Sequence, residues 1–287
     1  MKLEKNMKTL IVGLGLLGGS YAMSLKRQGY PVYAITRSQS SIDYALEHNM
    51  IDGGSTAVDP ELIASADLVV FALYPNVFKN WIKENQQYFK PGAVITDVTG
   101  VKSCIVYEIQ DMLRRDVEFI AAHPMAGKEV YGVENADDSI FHKANYIVVP
   151  TSKNTAAAME LCRDLGWKLG FKDVSELSPE MHDEMIAYLS QLTHCIAVSL
   201  MCCNDFRGLE NYTGDSFRDL TRIAKINDDM WSELFLLNKD VLLREMDKFR
   251  RSFNDMYDKL ESADRDGLRE MMRVSTERRR RFDKKEI

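Results

Sequence analysis

Cysteine is scarce in this 287-residue chain: only Cys104, Cys162, Cys195, Cys202 and Cys203. None form a CxxC pair and no two are spaced as zinc ligands. Reduced thiols in a cytoplasmic protein without a bound metal are therefore expected. No signal peptide is expected, because residues 1–8 are charged and the apolar run after them is short. No stretch approaches the roughly 18 apolar residues of a membrane span, so no membrane partner is expected. An excess of positive charge is missing too. A net charge of −6 and a pI near 5.5 argue against a nucleic-acid protein driven by phosphate neutralisation. There is no internal repeat and no low-complexity linker. Apolar residues make up 45% of the chain, enough for real cores, and the length reads as two domains.

The most informative stretch is Thr9-Leu-Ile-Val-Gly-Leu-Gly-Leu-Leu-Gly-Gly-Ser20. A short apolar run feeds Gly13-x-Gly15-x-x-Gly18, and residues 17–26 follow with helical patterning. A dinucleotide pyrophosphate needs this order. Gly13 permits the tight turn, and Gly15 lets backbone N–H groups approach the phosphates. Gly18 lets helix and strand pack closely, and the helix start at Leu16 and Leu17 supplies partial positive charge.

Apolar runs at 9–12, 32–35, 68–73, 93–98, 119–122 and 146–149 alternate with helical candidates at 17–28, 41–49, 77–89, 102–114 and 156–169. Several runs are continuously apolar and rich in Val and Ile, as strands covered on both faces should be. The order predicts an α/β fold with a doubly wound parallel sheet, a dinucleotide-binding domain spanning 1–175. Ligands in such sheets sit at the carboxyl ends of the strands. Residues just past each strand are therefore the ones to read.

After the second strand come Thr36, Arg37 and Ser38, where an acidic residue would bond the ribose hydroxyls of NAD. A hydroxyl and a guanidinium would instead bind a 2′-phosphate, so NADP is favoured over NAD. The alternative has Arg37 stacking on adenine or facing water. At the end of the 68–73 run, Leu73 and Tyr74 border the same crevice, and Pro75 suits a first helical turn. At the end of the 93–98 run, Asp97 reads as structural. Thr99, in a turn beside the nicotinamide end, reads equally as a substrate contact or as a helix cap. After the 119–122 run comes His123, placed at the crevice because Pro124 stops the strand. Imidazole titrates near neutral pH, which suits general acid–base work. Gly127 and Gly132 allow a loop carrying Glu129 to fold over the site. His48 and His142 lie in polar settings and are assigned nothing.

From Ser178 helices take over, giving a second domain over 176–287. Ser178-Pro179 reads as N-cap and first helical residue of a long, largely apolar helix. On it Ala187, Gln191, His194 and Val198 share a face. Polar Gln191 and His194, with Ser190 beside them, suggest a substrate pocket. Farther on, Asp215 or Ser216 can cap a helix on which Arg218, Arg222 and Lys225 form one cationic face. Such a face invites a ligand with more than one carboxylate. Residues 230–260 and 264–282 read as two long amphipathic helices. Their apolar stripes exceed what a small domain needs, so a homodimer through the C-terminal helices is expected. The cations Arg278 to Arg281, Lys284 and Lys285 read as a solvated helix end.

The chain resembles the prephenate dehydrogenase family, which includes arogenate dehydrogenases. The resemblance covers nearly the whole chain. It rests on Gly13 to Ser20, Thr96-Asp97 with Val101-Lys102, His123-Pro-Met-Ala-Gly127 with Glu129, and Ser178-Pro-Glu-Met-His-Asp183. Ser190-x-x-x-His194 and Phe217-Arg-Asp-Leu-Thr-Arg-Ile-Ala-Lys225 with Trp231 complete it. It implies a nucleotide-binding domain followed by a helical dimerisation domain. It implies oxidative decarboxylation of prephenate to 4-hydroxyphenylpyruvate, or of arogenate to tyrosine, in tyrosine biosynthesis. It also implies His123 as the proton acceptor and Arg222, with Arg218 nearby, on a substrate carboxylate. Ser190, Gln191 and His194 would line the pocket, and Glu129 would sit in the closing loop. The chain departs from the pattern at Gly100, where some relatives carry a serine that Thr99 could replace. It departs at Gln191, where some carry histidine, and at Thr36, where the family commonly has Asp. From its length, neither a substantial C-terminal regulatory domain nor a fused chorismate mutase is expected. A catalytically idle NADP-binding sensor and a β-hydroxyacid dehydrogenase or imine reductase are the competing readings. A histidine base set against Arg222 favours the first reading over both.

Overall fold

A computed structural model describes residues 1–283. Six parallel strands form one sheet: β1 (Thr9–Val12), β2 (Val32–Ile35), β3 (Gly53–Ser55), β4 (Leu68–Phe71), β5 (Val94–Asp97) and β6 (Glu118–Phe119). Their order is 3-2-1-4-5-6, with Thr9 opposite both Val32 and Leu68. The chain winds outward in both directions from β1 and β4, so the ligand crevice opens beyond Val12 and Phe71. Side-chain alternation along the strands feeds two cores. Ile11 and Val70 join Tyr21 and Leu25 of α1 (Leu16–Arg27) on one face. Leu10, Val69 and Phe71 join α4 (Pro75–Asn85) and α5 (Ser103–Met112) on the other, through Phe78, Ile82, Ile105 and Ile109. α2 (Gln39–Glu47) and α3 (Pro60–Ser65) complete the crossovers.

The expected strand at 119–122 is divided. Pairing with β5 ends at Ile95 opposite Phe119, and the Ile120 N–H makes the last bond to Ile95. β7 (Ala121–Pro124), β8 (Asn145–Val149) and β9 (Asp173–Glu176) form a second sheet, with β7 antiparallel and β9 parallel to β8. The 146–149 run therefore belongs outside the parallel sheet. The break coincides with a long-range contact: the Asp97 side chain, not its carbonyl, takes the Ala122 N–H at 3.1 Å. Strands β3 and β9 carry glycine or polar residues, and so gave no apolar run to read.

After α6 (Ala156–Lys168), the helix Pro179–Cys202 consists of α7 (Pro179–Ile186), a π turn (Ala187–Gln191) and α8 (Leu192–Cys202). Ser178 caps it, accepting from the Met181 N–H at 3.2 Å. An 18-residue window of this helix reaches a mean hydropathy of 1.5, so a stretch of spanning length and composition is present, contrary to expectation. The short α9 (Asp215–Thr221) starts at Gly214, without the side-chain cap expected from Asp215 or Ser216. The 230–260 pattern is two helices, α10 (Asp228–Leu237) and α11 (Lys239–Glu261), interrupted at Asn238. That residue turns its amide inward to Asp183 and Gln191. α12 (Arg265–Arg279) ends in a tight turn through Phe282; Lys284 and Lys285 lie outside the described residues. The chain forms one compact unit over Met1–Asn238 and a second from Lys239 onward. The change from sheet to helix near residue 176 falls inside the first unit.

Candidate active site

The glycine turn between β1 and α1 has the shape a dinucleotide requires. Gly13 has φ +98°, and a β-carbon there would run into the Ala72 carbonyl. At Gly18 it would meet the Gly13 carbonyl, whereas at Gly15 it would meet nothing. Gly15 N-caps α1 without a side-chain bond, so the N–H groups that follow it, at Leu16 and Leu17, remain available to an anion. Leu73 packs beside Gly13, and Tyr74 is the N-cap residue of α4. The Tyr74 hydroxyl accepts from Asn227 at 3.2 Å. Beyond β2, Ser38 is engaged as the cap of α2, accepting from the Ser41 N–H at 3.2 Å. Thr36 is half-buried, and Arg37 is exposed with no hydrogen-bond partner among the described residues.

His123 stands at the end of β7 and is the outer member of a chain of three groups. Its Nδ1 lies 2.8 Å from Nε2 of His182, and Nδ1 of His182 lies 2.8 Å from Oδ1 of Asp183. The order fixes the tautomers. Asp183 also accepts from the N–H groups of Lys102 and Ser103, both at 2.8 Å, so it is an acceptor throughout. His182 therefore donates from Nδ1 and accepts at Nε2. His123 donates from Nδ1, which leaves its Nε2 with a lone pair. Burial, reinforced by His182 and Lys102, holds the His123 imidazole well below its ordinary value, so it stays neutral. Burial also lowers His182, more than Asp183 raises it. For Asp183 burial pulls upward, but the bonds from His182 and Ser103 outweigh it and the carboxyl is lowered.

A second buried network sets the height of His123. Lys102 is fully buried and donates to Asp97 at 2.6 Å, to Thr99 at 3.1 Å and to the Ala122 carbonyl at 2.6 Å. Asp97 accepts the Ala122 N–H. The pair thus grips both backbone groups of the residue preceding His123. Thr99 is 4% exposed, and its N–H and hydroxyl both bond Asp97. It is neither a cap for α5, whose first N–H groups go to Asp183, nor an exposed group facing substrate. That expectation is corrected: Thr99 belongs to the support beneath the histidine.

Arg222 pairs with Glu129 of the loop after β7, and the remaining guanidinium donors have no partner among the described residues. His194 bonds the Ser190 carbonyl through Nδ1 at 2.8 Å, and its ring stacks on Trp231 at 3.7 Å. Burial lowers its pKa, and Glu129 and Arg222 are close enough to act on it electrostatically. Three expectations shift here. Gln191 is 1% exposed and spends its amide on the Leu234 carbonyl at 2.9 Å and Asn238 at 2.8 Å, so it supports the pocket instead of lining it. The π turn shifts the helical register across Ala187–Gln191, so the face expected from regular spacing is not kept: Gln191 is buried and His194 half-buried. Arg218 pairs with Asp215 at 2.9 Å. α9 stops at Thr221, so Arg218, Arg222 and Lys225 do not share one helical face.

The two parts of the chain match two descriptions in order. "Prephenate dehydrogenase, nucleotide-binding domain" matches residues 21–175, and "Prephenate dehydrogenase, dimerization domain" matches 178–274. The chain belongs to the prephenate dehydrogenase family. Prephenate dehydrogenase of Lactococcus lactis is 30% identical over 267 residues, 90% of this chain and 72% of that one. That of Bacillus subtilis is 28% identical over 268 residues, 90% of this chain and 71% of that one. A crystal structure of prephenate dehydrogenase from Aquifex aeolicus, in complex with hydroxyphenyl propionate and NAD+, matches with a TM-score of 0.89 at 29% identity. It covers 98% of this chain and 100% of that one. Membership makes the protein an oxidoreductase that uses a nicotinamide cofactor.

Within this prephenate dehydrogenase-family site, residue-by-residue reading passed over His182 and Asp183. They stand inside the matching Ser178–Asp183 segment, but the cap at Ser178-Pro179 explained that segment without them. A His-Asp dipeptide in the first turns of an apolar helix was the available signal. Lys102 stood in the matching Val101-Lys102 pair without a role that could be read from it, and Asn238 carried no signal, since a single lysine or asparagine is ordinarily solvated.

Proposed function

We propose that the protein oxidatively decarboxylates prephenate to 4-hydroxyphenylpyruvate and CO2, a step of tyrosine biosynthesis. The observation that carries this reading is the ordered series Asp183–His182–His123, which ends in an unprotonated Nε2. A sensor that only binds a nucleotide has no use for such a base. Gly13, Gly15, Leu16, Leu17, Gly18, Leu73 and Tyr74 would hold the cofactor, whose nicotinamide supplies the acceptor for the hydride from the substrate's C4. His123 takes the proton of the C4 hydroxyl. Once C4 is a carbonyl, the bond from C1 to its carboxylate breaks, CO2 leaves, and the ring becomes aromatic. The proton returns from His123 to the phenolate oxygen, so no net proton is consumed. Arg222, steadied on one side by Glu129, binds a substrate carboxylate with its free donors. His194, stacked on Trp231, and the Ser190 hydroxyl face the same substrate.

Thr36 and the unpaired Arg37 support NADP over NAD, since a guanidinium beside the ribose suits a 2′-phosphate. Arogenate, which would give tyrosine directly, differs from prephenate at the side chain and shares the reacting ring. The helical region supports a homodimer, and we take residue 176 as the start of that domain. Unpaired thiols at all five cysteines agree with a cytoplasmic setting. The deciding experiment supplies purified protein with prephenate or arogenate and NADP+ or NAD+, and follows the reduced cofactor. Turnover of prephenate, faster with NADP+, is expected. No turnover of either substrate with either cofactor overturns the reading.

A further inference from the structure

The loop that carries Glu129 is fastened to the nucleotide-binding helix by the fully buried Ser20 hydroxyl and, at the far end of α1, by the Arg27–Asp138 pair at 3.0 Å; the hydroxyl is the link that reaches the glycine cradle. Ser20, in the second turn of α1, donates to the Leu16 carbonyl at 2.7 Å and accepts from the Asp137 N–H at 3.0 Å. Leu16 is the first residue of α1, at the edge of the Gly15 cradle. Asp137 in turn accepts from Lys128 at 2.7 Å, and Lys128 immediately precedes Glu129. Glu129 then holds Arg222. The packing beside Ser20 is equally close. A β-carbon on Gly19 would lie 2.8 Å from that of Ala136 and 3.2 Å from Val133. Gly19 and Ser20 together let the end of the loop lie flat on α1.

We propose that Ser20 is a positioning residue through which the dinucleotide-binding helix sets the substrate clamp, by way of Asp137, Lys128 and Glu129. Filling of the cradle at Leu16 then steadies the loop and favours binding of the dianionic substrate at Arg222. The inference rests on the site assigned above. The Lys128–Asp137 pair is an exposed link that does not itself belong to the clamp, with side chains 42% and 37% accessible. It can therefore be cut without disturbing a core. The bond that Ser20 makes to Asp137 uses the backbone N–H, so the serine hydroxyl is the part to remove there.

The test uses hydrogen exchange and steady-state kinetics on the full chain. In the unmodified protein, saturating NADP+ or NAD+ should slow exchange in the loop around Lys128 to Gly132 as well as in the glycine turn. In Ser20→Ala and in Lys128→Met the glycine turn should still be protected, while the loop is not. Each variant should raise the KM for prephenate about three- to tenfold, with kcat and the cofactor KM nearly unchanged. Either substitution should add nothing in a Glu129→Gln background, where the clamp is already released. A merely structural serine would lower the melting temperature and leave the loop's response to cofactor intact. If Ser20→Ala fails to fold, Lys128→Met carries the test. Unchanged KM and unchanged loop protection in the variants would overturn the proposal. Full additivity on Glu129→Gln would overturn it too. Loop protection without turnover of prephenate or arogenate would remove the substrate reading and leave this coupling standing.

Discussion

Nδ1 of His123 and Nε2 of His182 lie 2.8 Å apart, on a strand of the second sheet and a helix of the helical region, so one of the two nitrogens must carry the proton between them and the other accept it. With Asp183 fixing the far end, the proton sits on Nδ1 of His123, whose Nε2 is left unprotonated. His123→Asn should lower kcat by about 100-fold or more and leave cofactor binding unchanged. His182→Leu removes the acceptor for the His123 N–H and lets the wrong tautomer form. It should cost about 10- to 100-fold in kcat, with little change in the cofactor KM. Parallel loss of cofactor affinity in either variant would point to damage of the fold.

The same pair predicts a direction for pH dependence. Burial holds both imidazoles below their ordinary value. A lowered imidazole remains a free base at more acid pH, so the acid limb of kcat/KM should fall below about 6.5. Stability follows from the proton count. Between the folded and unfolded pKa values the unfolded chain binds more protons, so stability rises with pH there. It should be complete above about pH 6.5. It should decline below that by up to about 1.4 kcal/mol per pH unit for each histidine. Urea midpoints at several pH values test this, and a profile that is flat between about pH 7 and 5 would contradict it.

Arg222 should act on substrate binding and not on chemistry. Arg222→Ala should raise the substrate KM about tenfold or more, with a smaller change in kcat. Arg222→Lys should recover little, because an ammonium cannot present two parallel donors to a carboxylate. Arg218→Ala should have almost no effect on KM, since that guanidinium is already occupied by Asp215.

What could be read without coordinates divides along a physical line. The glycine turn, the strand ends and His123 depend on local patterns: Gly at fixed spacing, continuous Val and Ile, Pro124 stopping a strand. The glycine turn follows β1 as expected, whereas His123, expected past a sixth strand of the parallel sheet, stands in β7 of the second sheet. The split between β6 and β7 was not visible, because the contact that marks it, Asp97 capturing the Ala122 N–H, runs across 25 residues. Gln191 was misplaced for a related reason. Helical spacing assumes 3.6 residues per turn, and a π turn at Ala187–Gln191 rotates everything after it. Lys102 was the least legible of all, since a fully buried lysine is credible only once its three partners are known.

Those partners make Lys102 a sharp probe of the support beneath His123. Lys102→Met leaves Asp97 buried without its cation and the Ala122 carbonyl without a donor. The loss should be about 3–5 kcal/mol in urea unfolding. A loss below about 1 kcal/mol would mean that the pair is not held as described.

Cofactor choice should turn on Arg37. Arg37→Ala should lower kcat/KM with NADP+ about tenfold and leave NAD+ almost unaffected. Thr36→Asp should shift preference further toward NAD+, by repelling the 2′-phosphate while bonding the ribose. Equal losses with both cofactors in Arg37→Ala would assign the guanidinium to adenine stacking instead.

The helices after Asn238 offer the most direct test of assembly. On α11, Leu243, Met246, Phe249, Phe253, Tyr257 and Leu260 recur every three or four residues, and each is at least 37% exposed in the single chain. An aligned row of large apolar side chains is costly to leave in water, at roughly 25 cal/mol per Å². A region described as a dimerisation domain in its family has an evident use for such a row. The native protein should sediment at twice the 32.8 kDa of one chain. Phe253 is 60% exposed, so Phe253→Glu makes no cavity in the single chain but places a charge in the proposed seam. It should shift the equilibrium toward monomer by about tenfold or more. A dimer equally stable to dilution in this variant would place the contact on another face.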